Sequence, residues 1–273
     1  MKRQRRFALL KTAVAWLLAA IVLVPLCALV LTSFKTKPEA ATMSLALPRE
    51  FLFSNYLEAI QRGGLIRAFF NSVLISTTSA VLGIVCSAMG AFVLARHRSP
   101  INRVIYTYVF LGLIAPLNYV ATIRVFQVLG LMNSYLGMIL LDAALGIPFA
   151  VFVYTGFVAS VPRELDEAAV VDGASPATMF FGIIFPLLKP VTVTAFVLNF
   201  MGAWNDFMSP LYLLNSSKLW PMVMSVYNFF GMHFNEWNMI SAVIVMSTLP
   251  ILILYIAGQR YVVSGMTSGA VKL

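Results

Sequence analysis

Apolar residues run through this chain in long blocks and not in alternation. Six blocks, 12–31, 69–95, 104–123, 135–158, 183–207 and 240–257, reach or approach the roughly 20 helical residues needed to cross hydrocarbon. In lipid the backbone must bond to itself, so each block reads as a helix. A barrel needs short alternating strands, and the pattern lacks them. Proline interrupts five blocks, at Pro25, Pro116, Pro148, Pro186 with Pro190, and Pro250, and predicts a kink in each. Two longer connections remain. Residues 33–67 hold Pro38, Pro48 and the aromatic cluster 51–56, which predicts an ordered segment with short helices. Residues 210–238 fit either a surface helix or a shallow re-entrant segment, and periodicity does not choose between them.

Composition agrees with the pattern. The 273 residues are 60% hydrophobic and 11% charged, against roughly 25% charged in a soluble domain. An all-α integral membrane protein with six transmembrane helices is the economical reading. The first block follows MetLysArgGlnArgArg, as a signal peptide would. It is longer than an h-region, and no small-x-small cleavage site closes it, so an uncleaved anchor is expected. Cys27 and Cys86 lie inside apolar blocks and read as small buried hydrophobes. With His97 and His233 the only histidines, no metal site is expected.

The net charge of +9 bears on orientation. With the N-terminus inside, inner segments hold 12 lysines and arginines and outer segments 7. The short ArgHisArg turn at 96–98 is the clearest single indicator. Both termini are therefore expected in the cytoplasm. No basic face interleaves with aromatics, which argues against nucleic acid.

Against this background residues 163–176, RELDEAAVVDGASP, stand out. Four of the ten acidic residues fall there: Glu164, Asp166, Glu167 and Asp172. Acids barely influence topology, so orientation does not account for them. Local signals predict a short helix opened by Pro162 with acids in its first turns. Leu165, Ala168, Ala169 and Asp172 share one face. Gly173 supplies a left-handed C-cap, and Ser175-Pro176 starts a second helix. Two alanines within an acidic rim suit close approach by another protein.

The spacing itself resembles a known motif. Glu167-Ala168-Ala169, three residues, Gly173, nine residues and Ile183-Ile184-Phe185-Pro186 is similar to the EAA motif of the membrane subunits of binding-protein-dependent ABC importers. Phe185 stands where leucine is usual. Segments 259–272 and 203–211 resemble the maltose-type permeases of carbohydrate importers. The resemblance implies a type I importer fold in a bacterial inner membrane. It implies a first part (1–66) with a cytoplasmic tail, one helix and an extracytoplasmic segment. A permease core (67–259) with a coupling loop (160–186) and a cytoplasmic tail (260–273) follow. It implies partners: a second permease in a heterodimer, two ABC ATPases that carry ATP and Mg, and an extracytoplasmic substrate-binding protein. It assigns ATPase coupling to Glu164, Glu167, Ala168, Ala169, Asp172 and Gly173. The tail from about residue 264 also reaches the ATPases on this analogy.

The chain's own chemistry is sparse. No GxxxxGK[ST] is present, so no phosphate-cradling loop. HExxH, an assembled GxSxG triad and metal-ligand spacings are missing too, and the polypeptide is expected not to be an enzyme or to bind a cofactor. Asp142 and Asp206 sit in or at the end of spans, where a charge is expensive and needs a reason. Each can pair with a partner residue or touch substrate. Asn118 and Asn199 can bond a sugar or another helix. Tyr119, Trp204 and Tyr212 can stack on a sugar ring or form an interfacial belt, and Trp220 and Trp237 fit the belt. Two other functions stay open: an ion-coupled secondary carrier, disfavoured by the lack of an internal repeat, and a non-transporting scaffold.

Overall fold

The computed structural model describes residues 2–97, 99–231 and 235–270, with side chains for these except 2–10 and 262–270. Among the described residues every element is helical, apart from one antiparallel bridge between Phe230 and Asn235. In chain order the helices are α1 (Lys2–Ser33), α2 (Lys37–Ala40), α3 (Ser54–Arg62), α4 (Leu65–Arg96), α5 (Pro100–Leu111), α6 (Tyr119–Leu129) and α7 (Tyr135–Ser160). Then follow α8 (Glu164–Val171), α9 (Pro176–Thr178), α10 (Phe185–Leu187), α11 (Lys189–Asn205), α12 (Met208–Leu213) and α13 (Trp237–Ala270). A π-helical turn, Met179–Ile184, joins α9 to α10.

Among the described residues four helical stretches are long and apolar enough to cross a membrane: Lys11–Ser33, Leu65–Arg96, Tyr135–Ser160 and Trp237–Tyr261. The fifth block is a bent pair, Pro176–Leu187 and Lys189–Asn205, meeting at 81°. The block at 104–123 is not one helix. It breaks between α5 and α6 around Pro116, and Asn118 caps the new start by accepting from the Ala121 amide. Proline thus ends helices at Pro116. At Pro25, Pro148 and Pro250 the helix runs through.

The chain divides into two compact units, Met1–Arg67 with Ser225–Leu249, and Ala68–Met224 with Pro250–Leu273. In the first, the connection after α1 is ordered by short helices, as its sequence predicts. Lys35 is 2% exposed and donates to the Ser44 carbonyl at 2.6 Å. Asn55 bridges the Ser33 and Lys35 carbonyls, at 2.9 Å each. Glu236 takes Lys37 at 3.3 Å and Arg62 at 3.0 Å. Burial pushes the Glu236 carboxyl up, but its bonds and charges with Arg62 and Lys37 together outweigh that and hold it below the ordinary value.

In the second unit α11 packs along α7 and α5 against α7. A core of Ile84, Ala150, Tyr154, Val158, Ile184 and Val191, among others, fills the space between them. Tyr154 donates its hydroxyl to Thr192 Oγ1 across α7 and α11 at 2.8 Å. Small residues set the helix approaches. A Cβ on Gly83 would lie 3.3 Å from the Ala143 carbonyl, and one on Gly258 would meet Val197 at 2.7 Å. The stretch before residue 225 holds α12, a 3-10 turn at Ser217–Leu219 and the start of a second 3-10 segment, Met222–Phe229. Asn71 ties it down by donating to the carbonyls of Lys218 and Trp220, at 2.9 Å each.

One expectation changes. Cys27 and Cys86 are exposed, not buried. A membrane helix turns apolar residues outward toward lipid or another subunit, so an apolar block does not imply an inward side chain. From residue 260 the chain continues helix α13 as far as Ala270. Residues 271–273, with Lys272, lie outside the described residues, as do Arg98 of the ArgHisArg turn and His233.

Candidate functional site

Two polar features interrupt the apolar bundle. The first is the hairpin α8–α9. Its helix begins at Glu164, two residues after Pro162, so the proline precedes the helix and does not open it. Arg163 holds the N-cap position without a side-chain capping bond, and Glu164, Asp166 and Glu167 fill the first turn, where the helix dipole favours anions. Gly173 is left-handed, at φ +74. The Ala174 amide bonds the Ala169 carbonyl at 2.9 Å and the Gly173 amide bonds that of Val170 at 3.0 Å. That reciprocal pattern is a Schellman cap. Ser175 then accepts from the Thr178 amide at 3.1 Å and caps α9.

The hairpin is also clamped to the bundle. Arg96, at the end of α4, contacts Asp166 at 2.6 Å, with side chains 8% and 19% exposed. Arg96 also donates to the Val161 carbonyl at 3.0 Å, and Arg163 donates back to the Arg96 carbonyl at 3.3 Å. Asp166 is therefore a strut. Of the two alanines, Ala169 faces inward at 2% exposure, because the helical period turns it onto the π turn, while Ala168 stays outside. Glu164, Glu167, Asp172 and Gly173 are exposed. Beside them are two apolar residues that the sequence pattern had not singled out, Val170 at 63% and Val171 at 86%. The resulting surface is apolar at its centre and acidic at its edge.

The second feature is a cavity of about 390 Å³ between α6, α7, α11 and the start of α12. Tyr119, Asp142, Asn199, Asn205, Asp206 and Ser209 supply its polar wall. Leu117, Leu145 and Leu198 supply an apolar one. Three buried polar atoms of these residues have no hydrogen-bond partner among the described residues: Asp142 Oδ2, Asn199 Nδ2 and Ser209 Oγ. Each such orphan costs about 1–3 kcal/mol. Asp206 accepts from the Ser209 amide at 3.0 Å, which holds the mouth of α12. Gly146 gives Asn199 its room, since a Cβ at 146 would collide with Asn199 Oδ1.

The candidate pathway residues thus divide. Tyr119, Asn199 and Asp206 converge on the cavity, and Asp142 joins them. Tyr119 leans on Tyr212, with ring centroids 4.9 Å apart. Asn118 does not line it and is engaged as the α6 cap. Trp204 is 1% exposed, stacked on Phe200 and edge-on to Phe69. It is a core residue with no face to offer a ring. Ser209, Asn205 and Gly146 gave no signal in the sequence beyond a lone glycine in an apolar span.

Comparison with known proteins fits these features. The sequence pattern of the family described as binding-protein-dependent transport system inner membrane component matches residues 63–268. The melibiose/raffinose/stachyose import permease protein MelC of Bacillus subtilis is 34% identical, covering 94% of this chain and 95% of that protein. The multiple sugar-binding transport system permease protein MsmG of Streptococcus mutans is 33% identical, covering 92% of each. The diacetylchitobiose uptake system permease protein NgcG of Streptomyces coelicolor is 31% identical, covering 98% and 90%. Among solved structures, a chain of a bacterial ABC transporter involved in the import of the acidic polysaccharide alginate superposes with a TM-score of 0.83. It shares 19% identity over 96% of this chain and 98% of that one, so it shows the fold: that of a type I ABC importer permease. The chain belongs to the inner-membrane component family of binding-protein-dependent transport systems and is a multi-pass permease subunit of an ABC importer, not an enzyme.

Proposed function

We propose that this subunit imports a neutral sugar or oligosaccharide, driven through its α8–α9 hairpin by separate ATPases. The observation that carries the coupling role is the hairpin itself. It is capped at both turns, clamped by Arg96, and carries an exposed apolar and acidic surface for a partner. The sugar cargo is supported by the names of the relatives, which are sugar permeases at 31–34% identity over nearly their whole length.

In this reading α5 and α6, of 12 and 11 residues, form one broken crossing. That gives six crossings, with both termini and the hairpin in the cytoplasm. A second permease completes the path as a heterodimer, and an extracytoplasmic binding protein delivers cargo. ATP and Mg reside on two ATPases. Nucleotide binding closes the ATPases and drags the docked hairpins together. Hydrolysis releases them. Glu164, Glu167, Ala168, Asp172 and Gly173 form the seat, joined by Val170 and Val171. Ala169 locks the seat from behind. Tyr119, Asn199 and Asp206 border the path. Asn118 shapes α6 and Trp204 supports the wall.

Charge reversal tests the seat. Glu167→Lys inserts normally but no longer retains the ATPases on affinity purification, and ATP-driven uptake is lost. Normal uptake by that variant overturns the docking role.

A further inference from the structure

A separate cleft of about 630 Å³ lies at the hairpin's end of the bundle, where α4 ends, α5 begins and α7 passes alongside. Arg96, which holds Asp166, is the last residue of α4. His97 follows it and lines the cleft. Arg103 lines it too, and no aspartate or glutamate does. The backbone around these two side chains is fixed. Ser99 caps α5 by accepting from the Asn102 amide at 3.1 Å, and the Asn102 side chain donates to the His97 carbonyl at 2.7 Å. Among the described residues the His97 ring and the Arg103 guanidinium have no ion pair or hydrogen bond of their own.

A cation at the end of a span orients the chain simply by reaching water. This one stands in a recess whose remaining wall is largely apolar, with Leu94, Val104 and Tyr106. Val104 is 68% exposed and shares the outer face of α5 with Ile101, Ile105, Tyr108 and Leu111, all exposed. α5 buries none of its residues and packs on α7, a helix of membrane-crossing length. A cationic recess thus passes directly into an apolar helix face beside a span.

The matching ligand carries an acid at one end and hydrocarbon at the other. Arginine holds a phosphate by two parallel N–H bonds, and basic recesses between transmembrane helices suit acidic lipid heads. Inorganic phosphate would use the cation and leave the face of α5 bare. A zwitterionic lipid brings a cation of its own, and the cleft has no carboxylate to receive it. We infer that this cleft binds an anionic phospholipid, with its phosphate on Arg103 and His97 and an acyl chain along Val104 and Tyr108. The site depends on neither the cargo nor the docking role of the hairpin.

The test uses the complete importer in phosphatidylcholine nanodiscs doped with a photoactivatable phosphatidylglycerol, with the labelled peptides mapped by mass spectrometry. Label falls on residues 94–106. Unlabelled phosphatidylglycerol suppresses it, while added inorganic phosphate does not. Arg103→Gln lowers it about fivefold, the worth of one cation beside an acidic lipid, and Arg103→Lys lowers it less. Lys189→Gln, which removes an exposed cation outside the cleft, leaves it unchanged. Equal loss in Arg103→Gln and Lys189→Gln makes the attraction diffuse and overturns the site. Suppression by inorganic phosphate assigns the cleft to a soluble anion and overturns the lipid. Wild-type label confined to other helices overturns the proposal whether or not Arg103→Gln assembles. None of these failures touches sugar uptake by the wild type, so the importer reading is tested apart from this one.

Discussion

The hairpin and the cavity use polar residues in opposite ways. In the hairpin the framework is saturated: Asp166 has Arg96, the Ala169 and Val170 carbonyls have their amides, and Ser175 has Thr178. The outward acids, with Val170 and Val171, are left for a partner. In the cavity the wall itself is unsatisfied, at Asp142, Asn199 and Ser209. A part that transmits force gains from having one stable shape. A part that cargo must enter and leave cannot complete its own bonds, or it would have none to offer. Stability is therefore concentrated in one place and withheld in the other.

If this contrast is right, damage to the hairpin frame costs more than damage to the cavity. Arg96→Met leaves Asp166 partly buried without its cation and removes the Val161 tether, and breaking such a pair costs about 3–5 kcal/mol. Uptake collapses while ATPase activity of the complex persists uncoupled. Swapping the charges, Arg96→Asp with Asp166→Arg, restores part of the coupling, which a purely packing role would not allow. Gly173→Val forces a β-branched residue to φ +74, at about 1–2 kcal/mol. Uptake falls several-fold, and hydrogen exchange rises across residues 164–175. Gly146→Ala displaces the Asn199 amide and forfeits one ligand hydrogen bond of about 1 kcal/mol. Sugar binding weakens by about fivefold, with the thermal midpoint nearly unchanged. A large drop in stability there would erase the distinction between frame and cavity.

The smallest effect concerns Glu236, an acid held by two cations, Lys37 and Arg62. Its folded-state pKa lies below the ordinary 4.5 because Arg62 and Lys37 outweigh its burial. The stabilisation is present above 4.5 and is lost as pH falls through the lowered value. Melting curves at about pH 7 and about pH 4 show a modest loss in the wild type. Glu236→Gln abolishes that difference. Solvent around Lys37 and Arg62, at 52% and 47% exposure, keeps it modest.

The hairpin was legible because its logic is local. Acids, alanines, Gly173 and Ser175-Pro176 sit within fourteen consecutive positions, 163–176, and each acts on its neighbours. Even so, the helical phase of Ala169 and the exposure of Val171 needed coordinates, since an eight-residue helix with three apolar sides does not announce its buried face. Arg96 was visible only as a positive charge, because its partner lies seventy positions away. The cavity was half legible. Asp142, Asn199 and Asp206 stood out as polar groups in lipid-length blocks, but convergence joins α6, α7, α11 and α12 across the chain. Trp204 misled for the same reason: an indole near a span end looks interfacial until Phe69 and Phe200 enclose it. The crossings were readable where the helix runs through its proline, at Pro25, Pro148 and Pro250, and not where the block breaks around Pro116.

The 81° elbow at Leu188 makes a bell crank of the bent pair Pro176–Leu187 and Lys189–Asn205. A shove arriving along its short arm, Pro176–Leu187, meets the long arm almost broadside and swings it instead of sliding it lengthwise. Asn199 rides that long arm about 15 Å beyond the pivot at Lys189. On the proposed coupling, a nudge of the hairpin would sweep the amide sideways and change the width of the cavity beside it.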